Sequence, residues 1–359
     1  MTRRETILSL MAAGIASADS ASVDAAYSRA MVIDTMSPGG AGYEPQLAID
    51  AGLTALVADL PTFPRNYPSA MKAMADWKAA FDKEPKFLPV LTASDLNKAK
   101  SEKRLGIILA SQDAAILDAS TSSVNDYNLD VLRRFHKDGL RVLQLTHNER
   151  NSVGDSFREK SNTGLSRLGE KVVAEMNRLK MMIDVSHCGD RTTEEAIELS
   201  KSPIAITHAG CRSLYATGRN KTDAQIKAVA NRGGYFGVYN MSIWLTDKPT
   251  ADINSLIDHI DHAVKLAGIE HVGFGSDGPA LALNTTPEQM LAGHVGYWKR
   301  NAGLPGAERE PKHVIIFELN TPLRLRRLAE GLDKRGYKTG EIEKILGGNF
   351  ARIFRDICG

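Results

Sequence analysis

Cysteine is scarce: three residues in 359, Cys188, Cys211 and Cys358. Their spacing suits neither a disulfide framework nor a zinc finger, so the fold must rest on an ordinary apolar core. An excess of one charge is also missing. Lys and Arg total 45 against 43 Asp and Glu, a formal net charge of +2, and no bulk electrostatic case for nucleic acid follows. Apolar runs long enough to span a bilayer are lacking too. No linker, low-complexity stretch or fixed-period repeat divides the chain. A chain of this length then holds one large α/β barrel or two ordinary domains.

The N-terminus reads as an address. Thr2-Arg3-Arg4 precedes the uncharged stretch Thr6–Ala18, which closes on Ala16-Ser17-Ala18. A basic start, a short apolar run and an A-x-A end describe a cleavable export signal. The paired arginines point to the twin-arginine route, from which Glu5 and Thr6 depart. We therefore expect an export signal over 1–18, a single domain over 19–359 and a periplasmic location, with a frayed amphipathic helix as the alternative.

Short apolar runs alternate with helical patterns along the rest of the chain. Strands are expected at Ala30–Thr35, Gly52–Leu60, Leu105–Ala110, Arg141–Leu145, Met181–Val185, Pro203–Ile206, Gly234–Asn240 and His271–Ser276. Phe87–Leu91 is an extra strand or part of a connection. Helices are expected at Ser69–Phe81, Asn125–Asp138, Gly169–Leu179, Thr192–Ser200 after Asp190 as N-cap, Thr222–Asn231 and Ile253–Ala267. Eight strands alternating with helices are the count for an α/β TIM (β/α)8 barrel. Pro287–Gly359, with helices Thr321–Arg335 and Gly340–Leu346, reads as a C-terminal helical elaboration.

In such a barrel the carboxyl ends of all strands share one mouth. The polar residues there are Asp34, Gln112, His147, His187, His208 and Asp277. Each could be an ordinary loop residue or strand cap; their shared position makes them candidates. His187 and His208 end successive strands and form a candidate metal pair, since neutral imidazole is the commonest zinc ligand. Asp277 is the strongest carboxylate, placed to take a proton from a metal-bound water. His147 is placed to meet a substrate carbonyl or developing oxyanion. Arg219 offers a planar fork for a carboxylate, or is a solvated loop charge. Cys188 and Cys211, beside the two histidines, are ligands, a pair, or small fillers.

L-T-H-N at 145–148, I-D-V-S-H at 183–187 and T-H-A-G-C-R at 207–212 with Arg219-Asn220 form an ordered series of motifs. It continues with H-V-G-F-G-S-D at 271–277, L-N-T-P-L-R-L at 319–325 and G-G-N-F-A-R-I-F at 347–354. Together they resemble the membrane dipeptidase (renal dipeptidase) family, zinc metallopeptidases of the amidohydrolase superfamily with a TIM-barrel fold. The resemblance runs from about Met31 to the C-terminus. It implies that His187 and His208 ligate the second of two zinc ions and that His147 contacts the scissile carbonyl. It also implies that Arg219 receives the substrate carboxylate and that Asp277 transfers protons.

The chain departs from that pattern at the first metal. Where the family has His-x-Asp at the end of strand one, Asp34-Thr35-Met36-Ser37-Pro38 places Met36 and Pro38, and the bridging glutamate corresponds to Gln112. None of these replaces a carboxylate or imidazole donor well, and Asp113 is one residue out of register. The expectation is one zinc ion held by His187 and His208, with Asp277 as candidate third ligand, in a metal-dependent hydrolase acting on a dipeptide or related small amide. The alternative is a catalytically inactive binding or maturation protein on the same barrel. No nucleic acid or membrane span is expected, and a homodimer is an open option.

Overall fold

Runs such as Leu105–Ser111 (L-G-I-I-L-A-S) are buried at every position, the pattern of strands covered on both faces. Nine strands build one parallel sheet: β1 Ile33–Pro38, β2 Ala55–Asp59, β3 Phe87–Pro89, β4 Leu105–Ser111, β5 Leu140–Gln144, β6 Met182–Asp184, β7 Ala205–Ala209, β8 Tyr235–Val238 and β9 Val272–Phe274. The order is β1-β2-β4-β5-β6-β7-β8-β9, with β3 paired to the start of β4 outside that path. These contacts belong to a computed structural model, which describes residues 20–60, 64–118, 127–248, 251–278 and 314–359. The expected export signal lies outside the described residues, as does much of the expected loop after Pro287.

The eight path strands form a nearly closed TIM-like barrel, as expected from the alternation. Side chains of alternate residues fill its interior: Ile33, Ala55, Val57, Ile108, Ala110, Val142, Met182, Ala205 and Tyr235 form one cluster. Their neighbours Leu56, Ile107, Leu109, Leu143, Ile183, Ile206 and Phe236 join the larger outer core. That period of two is what a barrel wall requires. The seam lies between β1 and the end of β9. There the Asp277 N–H donates to Met36 O at 3.0 Å and the Ser276 N–H to Asp34 Oδ1 at 2.7 Å. Gly275 is needed at this seam, because a Cβ would strike Thr207 O and Thr35 Oγ1.

Helices cover the outside: α1 Ser20–Arg29, α2 Pro45–Asp50, α3 Tyr67–Lys83, α4 Ala93–Glu102, α5 Tyr127–Lys137, α6 Arg167–Leu179, α7 Asp190–Leu199, α8 Asp223–Asn231, the short α9 Ser242–Leu245 and α10 Ile253–Ala267. Gly189, not Asp190, is the N-cap of α7, so the expected start moves by one residue. Among the described residues no helix is long and apolar enough to cross a membrane.

The C-terminal region differs from expectation. α11 Arg324–Arg335 and α12 Thr339–Glu343 lead through a wide turn, Lys344–Gly348, into a further helix, α13 Asn349–Cys358. Phe350, Ile353, Phe354 and Ile357 on α13 belong to the interior cluster. This helix therefore plugs the barrel rather than decorating its surface. The Asn349 amide donates to Ile269 O and Val272 O at 2.6 and 2.7 Å. At Gly347 a Cβ would collide with Met31 O, so the turn passes against β1 only with glycine there.

Candidate active site

Four strand ends and one loop place the expected residues together. His147 follows β5, His187 follows β6, His208 lies in β7, Asp277 follows β9, and Arg219 sits between β7 and α8. His147, His187, Arg219 and Asp277 line a cavity of about 180 Å³ whose other lining residues are Asn148, Phe157, Met241, Ile243 and Trp244, and His208 is buried beside His187. The His147 and His187 rings stack with centroids 4.4 Å apart. His187 Nε2 and His208 Nε2 are 2.9 Å apart, and His208 Nε2 is 3.7 Å from Asp277 Oδ1. One ligand atom from each of His187, His208 and Asp277 lies within 4.8 Å of the others.

Hydrogen-bond accounting decides what the two imidazoles present. His187 Nδ1 lies 3.1 Å from Asn148 Oδ1, an acceptor, so Nδ1 carries the hydrogen. Thr207 Oγ1 donates to Asp184 Oδ2 at 2.6 Å. Its one proton is thereby used, and its oxygen accepts from His208 Nδ1 at 2.8 Å. Asp184 also accepts from Ser186 N and Ser186 Oγ at 2.9 and 2.5 Å, which fixes the carboxylate. Both Nε2 atoms are then bare lone pairs facing each other. Two lone pairs at this separation repel unless a cation lies between them. Nitrogens on one tetrahedral zinc at about 2.05 Å would stand about 3.3 Å apart, so a small opening seats an ion. The residues at this end of the barrel fit one metal.

Burial sets the charges. His147, His187 and His208 are pushed well below the usual imidazole range, first by burial and next by nearby cations, chiefly Arg219 for His187 and His208 and Arg65 for His147. They are neutral and ready to donate lone pairs. Burial raises Asp277 to about 7, against the opposing pull of Arg219. Asp277 also stands in the left-handed region at φ +52°, a conformation that non-glycine residues hold only when the surroundings impose it. Arg219 is 1% exposed. Its Nη1 donates to Ser186 O at 2.8 Å, and its plane lies over Tyr239 and Phe157, 5.1 and 5.9 Å from the ring centroids. Nη2 has no hydrogen-bond partner and lies 3.9 Å from Asp277 Oδ2. The solvated-charge reading of Arg219 is excluded by this burial.

Other candidates stand apart. Asp34 is buried at the seam, 3.7 Å from Arg324 Nη1. Asp113 accepts from Ala115 N and Asn151 Nδ2 at 3.0 and 2.7 Å. Cys188 accepts from Thr146 Oγ1 and Cys211 donates to His259 O; both are buried and neither joins the ligand group.

Sequence reasoning missed Asp59 and Arg65. Arg65 Nη1 and Nη2 reach Asp59 Oδ1 and Oδ2 at 3.2 and 2.9 Å. The Gln112 N–H and Nε2 donate to the same two oxygens at 2.9 and 3.1 Å. The carboxylate at the end of β2 is thus neutralised by a guanidinium and an amide. With Met36, Pro38 and Gln112 offering no hard anionic donor, this side of the mouth does not fit a second metal ion.

A family model for membrane dipeptidases matches residues 57–285. The chain belongs to the membrane dipeptidase family. Among its relatives, dipeptidase 3 of Mus musculus is 31% identical over 244 residues, covering 65% of this chain and 42% of the mouse protein. An uncharacterized dipeptidase of Schizosaccharomyces pombe is 36% identical over 158 residues, 42% of this chain and 38% of that protein. The matched region therefore spans about two fifths of these curated relatives. An amidohydrolase from Pseudomonas aeruginosa shares the fold with TM-score 0.78 at 24% identity, over 93% of this chain and 98% of that one. So does a metallopeptidase from Rhodobacter sphaeroides, liganded with a phosphinate mimic of the dipeptide L-Ala-D-Ala. Its TM-score is 0.70 at 19% identity, over 88% of this chain and 91% of that one. Family membership, argued from the ordered motifs, thus agrees with the barrel and its strand-end histidines.

Proposed function

We propose that this dipeptidase-family chain is a hydrolase of dipeptides or related small amides that works with a single metal ion, zinc being the first expectation. The observation that carries this reading is the facing pair of bare Nε2 atoms, His187 and His208, with the Asp277 carboxylate beside them. A bound cation supplies polarisation of the scissile carbonyl and a more acidic water. The remaining roles belong to the protein. Arg219 Nη2, buried and without a hydrogen-bond partner, pairs with the substrate carboxylate. Asp277, near 7, accepts a proton from the attacking water and returns it to the leaving amine. His147, stacked on His187, stands at the carbonyl as a donor to the developing oxyanion. The short Arg219–Asp277 separation fits a carboxylate borne one carbon from the scissile nitrogen. Periplasmic export from the Arg3-Arg4 signal remains part of this proposal.

Metal analysis of protein purified without chelator, paired with a dipeptidase assay, tests it. About one equivalent of zinc, iron or manganese is expected for a three-ligand open site, with hydrolysis lost in His187→Ala. Less than about half an equivalent, with no activity restored by added metal, overturns it. The Arg65–Asp59–Gln112 cluster favours a second reading, a binding protein that has given up turnover. It predicts binding of dipeptides without hydrolysis.

A further inference from the structure

The polar groups that line the candidate cavity are few, and each has a task on the reading above. Asn148 holds His187, His208 and Asp277 stand at the scissile bond, and Arg219 takes the carboxylate. In a peptide the amide nitrogen and the next carboxyl carbon are about 2.5 Å apart. A leaving group that spans Asp277 and Arg219 therefore has its α-carbon held between them. Whatever side chain it bears must turn to the rest of the wall. Among the described residues that wall is Phe157, Met241, Ile243 and Trp244; the Arg158 guanidinium, 5.6 Å from the Phe157 ring centroid, is paired with Glu149 at 3.1 Å.

The apolar wall is built rigidly. Phe157 meets Trp244 edge to face at 6.1 Å and His187 at 5.9 Å, so it lies between the metal candidates and the wall. Asn220, next to Arg219, donates from Nδ2 to Trp244 O and Tyr215 O at 2.8 and 2.9 Å and accepts from Tyr239 Oη at 2.5 Å. His259 accepts from the Cys211 N–H at Nδ1, so its Nε2–H donates to Leu245 O at 2.8 Å. One asparagine thus clamps the carboxylate loop to the segment 241–245, and one histidine clamps that segment to α10. A wall already in place binds without the ordering cost of a mobile one.

We propose that Ile243 and Trp244, with Phe157 and Met241, form a side-chain subsite that selects an apolar residue at the carboxylate end of the substrate. The class expected is an amide whose released amino acid is of the valine, leucine or phenylalanine type, with aspartate, glutamate and lysine rejected. The inference rests on the hydrolase reading for its orientation but not for its test. A cavity of about 180 Å³ is small beside typical ligand sites of roughly 300–1,000 Å³, which favours the shorter aliphatic members. A charged side chain would lose its hydration against this wall, and the wall itself offers it no charged partner.

Two measurements on the metal-loaded protein test the subsite. In a panel of glycyl dipeptides, kcat/KM for Gly-Val and Gly-Leu should exceed that for Gly-Asp and Gly-Lys by at least about 100-fold, the scale of pocket discrimination. Ile243→Lys should narrow the gap between Gly-Leu and Gly-Asp by about 10-fold or more, and Ile243→Val, the conservative change, should preserve it. Calorimetric binding of N-acetyl-leucine and N-acetyl-aspartate supplies a readout that needs no turnover. Preferential binding of N-acetyl-leucine that is lost in Ile243→Lys supports the subsite even where no dipeptide is hydrolysed, an outcome that defeats the hydrolase reading alone. Hydrolysis of Gly-Leu and Gly-Asp at similar kcat/KM overturns the subsite and leaves the hydrolase reading standing. Equal affinity for the two acetylated amino acids overturns it as well.

Discussion

His187 Nε2 and His208 Nε2 face each other at 2.9 Å with a hydrogen on neither. The contact is unfavourable for the protein alone and favourable once a cation lies between the rings. Removing either ring should therefore remove the ion. For His208→Ala we expect metal content to fall below about a tenth of an equivalent and hydrolysis to fall at least about 100-fold, checked by elemental analysis and initial rates. Thermal stability without metal should fall less than with it, since the variant also relieves the facing lone pairs.

Thr207 passes the orientation of Asp184 on to His208. Thr207→Val keeps the shape and deletes the hydroxyl, leaving a carboxylate oxygen and the Nδ1–H without their link. Chelator competition should show metal affinity reduced by about 10–100-fold, and urea unfolding a loss of about 1–3 kcal/mol. Thr207→Ser should retain most of both. Unchanged affinity in the valine variant would mean that His208 is held by packing alone.

Arg219→Lys retains the charge but not the fork or the flat face over Tyr239 and Phe157. Binding of a substrate carboxylate should weaken about 10–100-fold, most of it in KM, because a hydrogen bond to a charged group is worth about 1.5–3 kcal/mol. A fall confined to kcat would assign Arg219 to the transition state instead.

Lys221 carries a pH signature. It is buried, its Nζ donates to Cys188 O and Thr193 Oγ1 at 2.8 and 3.0 Å, and burial draws its ammonium down to about 8. In the unfolded chain a lysine holds its proton to about 10.4. Between these values the unfolded state binds more protons, so the Lys221 contribution to stability rises with pH across that window. The difference in unfolding free energy between wild type and Lys221→Met should grow by about 1–3 kcal/mol from pH 8 to pH 10. Parallel curves would contradict this.

Legibility differed by kind of signal. Strands buried on both faces leave apolar runs, and all eight path strands overlap the expected runs, though β1 starts three residues later than Ala30 and β7 two later than Pro203. The strand-end histidines were visible because each breaks such a run. Helix α13 is not legible in the same way, since the apolar stripe of N-F-A-R-I-F faces a barrel floor that exists only once the strands have closed. Arg65 was hidden because its partner Asp59 closes a strand in which one carboxylate carries no pattern. Thr207 and Asp184 look like ordinary strand residues, and their pairing requires the register between β6 and β7. Tertiary pairing of this kind leaves no local periodicity for a reader of sequence to find.

The stopper at the foot of the barrel joins its first and last strands, since the turn that opens it runs against Ile33 at Gly347 while Asn349 holds Val272. During translation β1 emerges long before that stopper, so the cylinder stays bottomless until nearly the whole described chain has left the ribosome. Nascent chains halted after β9 should accordingly be open to proteases and dependent on chaperones.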